Sequence, residues 1–478
     1  MKRLVLTILL FVVCGFSAAQ TLQPLKHQAP DGAGIGFVLT DGTVLFQGNG
    51  LSDWYILTPD INGSYVNGTW KKVGSLQKGY VPDAFASAVL ADGRVIIEGG
   101  EYNNGEFVLT NQGAIYDPAT ASWTAVQPPA TWQYIGDSPS AVMPNGKFLV
   151  GNKLTTQMAE LDPTTLTWTL VPSPGKADFN AEEGWTLMPD GTILTCDVKD
   201  APNSENYQTQ KREWVSEGST IVDLHSPSPY GCIHYGPGGK LCYYPPGEIG
   251  PAILRPDGTV FATGSTPQGS STAHTSVFTP SGVAGEPGTW TPGPDFPTGD
   301  EAGDSFAALL TNGDVLVEGI SGRLYEYDGV NLNPGPYGFG SLFVLPTGEI
   351  IVGGSELYTS SGTYDASWAP TIKQSPASVT RGTTYKISGT QFNGLSQAAS
   401  FGDEYQTATN YPLVRITNGA TGHVFYAKTH GHSTMAVATG NKIVSTNFDV
   451  PAAAETGAST LEVVANGIPS QPVNITVN

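Results

Sequence analysis

Cysteine is scarce: four in 478 residues, one of them, Cys14, in the leading apolar run. Past that run only Cys196, Cys232 and Cys242 remain, so one disulfide is the most the chain can close on itself. Charge is scarce too, at 13% of residues, and basic charge scarcer, with 22 Lys and Arg against 42 Asp and Glu. The net charge of -20 excludes the basic footprint of a nucleic-acid binder and describes a chain that repels itself and anionic surfaces. After Phe16 no apolar run is long enough to span a bilayer. There is no Gly-rich phosphate loop, no His-Glu-Xaa-Xaa-His and no Gly-Xaa-Ser-Xaa-Gly.

Residues 1–19 read as a secretory signal peptide: Lys2 and Arg3, the apolar Leu4–Phe16, then Ser17-Ala18-Ala19 before Gln20. Cys14 raises a lipoprotein alternative, to which Val13 is a poor fit. A secreted or periplasmic location is expected, and with it a disulfide between Cys232 and Cys242. Cys196 is then a small buried hydrophobe.

Glycine is plentiful, and its placement carries the fold. Asp92-Gly93-Arg94-Val95-Ile96-Ile97 couples a turn dipeptide to an apolar run. The unit recurs with turns at Asp41, Asn145, Asp190, Asp257, Asn312 and Thr347. Seven turn-punctuated copies at a period of roughly 50 residues are the sequence form of a kelch-type propeller. Each unit adds two further strands, the last often carrying Trp, as in Trp70, Trp123, Trp168 and Trp290; these aromatics are expected between neighbouring sheets. The longest gap between turns holds an insertion, about residues 199–246, of the kind that is functional or disordered. Residues 21–25 are expected to close the ring by adding a strand to the last unit. From residue 369 the repeat stops and short alternating strands suggest a β-sandwich. The expected architecture is all-β: a seven-bladed propeller over 20–368 followed by an immunoglobulin-like sandwich over 369–478.

This order resembles the galactose oxidase and glyoxal oxidase superfamily. The resemblance implies a copper radical site on the propeller axis, made of a cross-linked Cys and Tyr, a Tyr-His dipeptide and a histidine from the C-terminal domain. Thr429-His430-Gly431-His432 looks like the last element, so His430 or His432 is expected to point into the channel as a metal ligand. The rest departs from the pattern. The residues before the seven histidines are Lys26, Leu224, Ile233, Ala273, Gly422, Thr429 and Gly431, so no Tyr-His occurs. Cys196 matches no cross-linked position.

The repeat also serves as a ruler. Residues just before each innermost strand should line one mouth of the central channel. At that step stand Asp31, Asp83, Asp137, Glu183, Glu248 and Asp304, with Glu182 beside Glu183. Tyr80, Tyr134 and Tyr244 accompany them, and Tyr337 takes the place in the seventh unit. Any single Asp there can be a turn residue bonding its own backbone. As a set, carboxylates around one mouth raise each other's pKa or recruit a cation, and carboxylates beside aromatic faces suit a polyhydroxylated ligand. Two functions are in view. One is a monomeric, secreted binding protein for a carbohydrate or a protein surface, with calcium a possible cofactor. The other is a copper oxidase with altered ligands. The missing dipeptide favours the binder.

Overall fold

The computed structural model describes residues 20–227, 231–235, 238–243, 247–283 and 285–478. The expected signal peptide and Tyr244 lie outside the described residues. The fold is all-β.

The repeated turn explains the repeated sheet. The side chains of Asp41, Asp92, Asn145, Asp190, Asp257 and Asn312 each accept a hydrogen bond from the backbone N–H two residues on. The glycine between takes a positive φ, 77° at Gly42 and 84° at Gly93, which other residues adopt only with strain. Each turn joins an innermost strand to the next one out. The pairs include Ala86–Val89 with Val95–Glu98 and Phe306–Leu309 with Val315–Glu318. Both inner strands are buried on both faces, hence their unbroken Val and Ile runs. Burying each such side chain contributes roughly 1.5–3 kcal/mol.

Seven sheets share this antiparallel four-strand order. Their aromatics pack both between and within sheets: Trp54 meets Trp123 of the next sheet with ring centroids 4.6 Å apart, while Phe278 meets Trp290 of its own sheet at 5.1 Å. The first and last sheets touch through Phe46 and Phe343 and through the Ser341 hydroxyl, which donates to Gly34 O at 3.0 Å. Thr21–Pro24 pairs with Glu356–Thr359 as the outermost strand of the seventh sheet, so the two ends of the ring share one sheet.

The insertion begins later than its composition suggests. Asn203–Gln208 and Glu213–Ser219 are the two outer strands of the fourth sheet. Their polar sequence hides this, although Tyr207 and Trp214 form the usual aromatic pair. The stretch after Ser219 carries an isolated hairpin, Gly231–Tyr235 with Gly239–Tyr243, in which Cys232 lies opposite Cys242 and is bonded to it. Cys196 is buried and free.

The C-terminal strands form one continuous sheet that doubles over its own core. The strand Val424–His430 is shared: its first half pairs with Leu413–Asn418, its second with Val444–Asp449. Ile387, Val414, Phe448, Leu461 and Ile475 fill the space between. This unit rests on the turn end of the propeller. Gly431 N donates to Ala91 O at 2.9 Å and Met435 N to Pro144 O at 3.1 Å.

One segment leaves the sandwich. Between Thr384–Thr390 and Leu413–Asn418 the chain rises into the propeller channel and returns, and we call residues 391–412 the strap. Ala399–Phe401 pairs antiparallel with the innermost strand Phe306–Leu309, as a fifth strand of the sixth sheet. On the way down, Gln406 N donates to Ser87 Oγ at 3.1 Å and the Tyr411 hydroxyl donates to Val38 O. At the base the Asn393 amide donates to Asn410 O and Thr434 O, at 3.0 and 2.9 Å.

Candidate functional site

The strap turns at Gly402–Tyr405, at the mouth of the channel away from the sandwich. A Cβ on Gly402 would lie 2.4 Å from Ile249 O, and one on Gly184 would lie 2.6 Å from Gly402 O, so the tip is wedged between the entries of two innermost strands. The Tyr405 hydroxyl donates to Asp83 Oδ1 at 2.8 Å and accepts from Ala84 N–H at 2.8 Å. Burial and the Asp83 carboxylate push the Tyr405 phenol far above its usual range, so it stays a donor. Asp83 therefore holds the tip.

Beside Tyr405 the strap delivers Asp403 and Glu404, 7% and 4% exposed. They meet the carboxylates expected from the ruler. Oxygens of Asp137, Asp403 and Glu404 lie within 4.8 Å of one another, as do those of Glu182, Glu248 and Asp403, and those of Glu101, Asp137 and Glu182. Asp304 adjoins Glu248 closely enough for their carboxylates to shift each other's titration. Seven carboxylates thus surround one described ammonium, that of Lys153, which is 1% exposed. Lys153 Nζ pairs with Asp137, with Glu182 at 2.7 Å and with Glu101 at 3.4 Å.

The electrostatics follow from crowding. Burial raises Asp137, and the Glu101 and Glu182 carboxylates add to it against the pull of Lys153. Burial, then Asp137 and Asp304, holds Glu404 well above the carboxylate range. Burial and the Glu182 and Asp304 charges push Glu248 up to about 9. Burial, then the Glu182 charge, raises Asp304 at the rim to about 6. Burial opposes the Lys153 charge, but its three carboxylates more than reverse this and keep it protonated. The backbone is also strained here: Ala84, Glu182 and Asp304, each eight residues before its turn, have φ of 51°, 58° and 50°. Such non-glycine conformations cost about 1–3 kcal/mol each and cluster at functional sites.

Beside the mouth lies a hollow of about 580 Å³ lined by Asn111, Thr131, Trp132, Gln133, Tyr235, Gly238 and Gly239. The disulfide hairpin forms its far wall: Leu109 N donates to His234 O at 2.9 Å, and Tyr235 packs on Tyr134 with centroids 4.9 Å apart.

Several expected residues lie elsewhere. Glu183 is fully buried. Its carboxylate bonds Lys176 Nζ at 2.7 Å, as do those of Asp178 and Glu205. The left-handed backbone at Glu182 sends that side chain to the channel and its neighbour into the sheet. Tyr80 is buried too, its hydroxyl donating to Gly99 O at 2.9 Å. Tyr337 ends the outermost strand of the sixth sheet, under the Arg323 guanidinium at 4.5 Å, far out from the axis.

His430 and His432 do not enter the channel. They sit where the sandwich meets the turn end of the propeller, His430 Nε2 at 3.1 Å from Asp449 and His432 Nδ1 at 2.8 Å from Thr446. Burial, then neighbouring His430, pushes His432 down to about 3. The element that enters the channel is the strap, which carries no histidine. Among the described residues the clusters able to hold a metal consist of carboxylates alone, a donor set for hard cations and not for copper. The residues present do not fit the copper centre the resemblance implies.

Comparison with known proteins adds likeness of shape. No protein-family model matches the chain, and no curated protein matches it in sequence. A fungal alcohol oxidase of the AA5 family, solved in complex with copper, is 13% identical over 96% of this chain and 98% of its own, with a TM-score of 0.48. Virginiamycin B lyase from Staphylococcus aureus is 13% identical over 71% of this chain and 97% of its own, at 0.43. The extracellular domain of a one component system from B. thetaiotaomicron is 12% identical, covering 96% of this chain and 58% of the other, at 0.45. No residue role is carried across at these values; the propeller arrangement is read from the strand pairings themselves.

Proposed function

We propose that the protein is a secreted binding protein whose channel mouth takes a polyhydroxylated ligand, a carbohydrate. One observation carries this reading: carboxylates from the second to sixth sheets and from the strap converge at one mouth, beside a hollow faced by Trp132 and Tyr235. Sugar hydroxyls donate to carboxylates, and the CH faces of the ring lie on aromatic side chains. The disulfide-closed hairpin beside the mouth suits an oxidising compartment. No helix among the described residues is long and apolar enough to cross a membrane.

The copper-oxidase reading keeps the architecture and lacks its ligands, since His430 and His432 are engaged on the opposite face. A glycan array with the secreted chain tests the choice. At least one glycan class is expected to bind, and Tyr235→Ala should weaken it roughly tenfold, the scale of one lost aromatic contact. Absence of any glycan signal, or peroxide release from sugars by copper-loaded protein, would sink the binder.

A further inference from the structure

Among the described residues two buried carboxylate clusters differ in the counter-charge at their centre. In the fourth sheet, Asp178, Glu183 and Glu205 converge on the Lys176 ammonium, each at 2.7 Å. A cation already stands at that centre, although Asp197, which groups with Asp178 and Glu183, has no hydrogen-bond donor on either oxygen. At the mouth, Lys153 serves Glu101, Asp137 and Glu182. No described ammonium or guanidinium pairs with Asp403, Glu404 or Glu248, although Asp403 belongs to two of the three oxygen groups there.

Hydrogen bonds do not make up the difference. Asp403 Oδ1 and Asp137 Oδ1 are buried and have no donor within reach. Their residues are 7% and 2% exposed. A buried carboxylate oxygen without a partner carries the full cost of desolvation, and buried charges in native proteins are paired or coordinate metals. Both residues supply an oxygen to the same group, with Glu404 as third member.

We infer that the mouth binds one hard divalent cation, of the calcium class, on the carboxylates of Asp137, Asp403 and Glu404, with Glu182 and Glu248 completing the shell. The donors are all oxygen, the preference of calcium, magnesium and manganese. The oxygens of each group lie within 4.8 Å of one another, close enough for a single ion with calcium–oxygen distances of about 2.4 Å to reach all three. Magnesium demands a near-ideal octahedron and keeps several of its waters, which a shell made of protein carboxylates displaces. Two ligands, Asp403 and Glu404, come from the strap, so the cation ties the C-terminal unit to the ring through the channel. Lys153 stays bonded to the far side of Asp137 and Glu182 and limits the negative charge the ion must balance.

The cation site stands whether or not the ligand is a carbohydrate. Isothermal titration of the chelator-stripped full-length chain with calcium chloride, and separately with magnesium chloride, tests it. One calcium site is expected, tighter than any for magnesium. Asp403→Asn and Glu404→Gln keep shape and remove charge, and each should weaken calcium at least a hundredfold. Glu248→Gln, at the solvent-facing edge, should weaken it roughly tenfold and stands in if the buried variants do not fold. Glu183→Gln, in the Lys176 cluster, should leave the affinity within threefold. No calcium binding at millimolar concentration, or binding unchanged in Asp403→Asn, Glu404→Gln and Glu248→Gln, would overturn the site. So would loss confined to Glu183→Gln. Calcium binding without any glycan signal upholds the site and fails only the carbohydrate reading.

Discussion

Glu182 and Glu183 are adjacent in sequence and do different work. Glu182 faces Lys153 and the channel; Glu183 is locked on Lys176 inside the fourth sheet. The ruler brings the chain to the right turn and cannot say which of two neighbours looks inward, because that depends on a positive φ at Glu182. Lys153 gives no local signal either: it lies just after an inner strand, in a stretch without periodicity. Removing Lys176 leaves three buried carboxylates without their cation, so Lys176→Met should cost about 3–5 kcal/mol, read as a large drop in the urea midpoint. Glu318 offers a test by pH. Burial lifts it to about 7, against the Gly340 N–H it accepts at 3.2 Å. Its folded-state pKa is above the unfolded value, so the folded state holds the extra proton between pH 4.5 and 7. Stability is lost as pH rises through that window, by up to about 3 kcal/mol. Glu318→Gln, which keeps the acceptor, should raise Tm by a few degrees at about pH 8 and leave it unchanged at about pH 4. An equal shift at both values would contradict this role for the residue.

Elements differ in how plainly the sequence announces them. Six of the seven turns are legible because Asp or Asn next to Gly is local chemistry, the seventh, Thr347-Gly348, keeps the glycine, and the strands on either side inherit their register from the turn. The strap is another matter. It holds no repeat and no motif, and its one short strand, Ala399–Phe401, pairs with a partner some ninety residues earlier. Its length is the available sign, since about twenty residues between two sandwich strands exceed an ordinary hairpin loop. The histidines point to the wrong loop, because the family likeness supplies the idea of a channel-entering segment and Thr429-His430 is the nearest match. Gly402 tests the strap as a positioning element. A methyl there would meet the Ile249 carbonyl, so Gly402→Ala should displace the tip and weaken calcium roughly tenfold while removing no carboxylate. Unchanged calcium affinity in a folded Gly402→Ala protein would show that the tip does not set the geometry.

At the scale of the whole molecule, the ring and the C-terminal unit are joined twice: at the turn end, and through the channel by the strap. Thr21–Pro24 adds the outer strand that ties the end of the ring to its beginning, a role its sequence suggests from position alone. Deleting residues 20–24 should expose the edge of Glu356–Thr359 and lower Tm by several degrees, measured by scanning calorimetry. An ion held by both units also couples them: calcium at about a hundred times its dissociation constant should add about 2.7 kcal/mol to unfolding. If the carboxylate mouth built around the strap is the working site, metal analysis after dialysis against equimolar calcium and copper will show it. The expected result is about one calcium per chain, lost in the Asp403→Asn, Glu404→Gln double variant and retained in the His430→Ala, His432→Ala double variant. Stoichiometric copper that disappears with those two histidines, and no calcium, would contradict it.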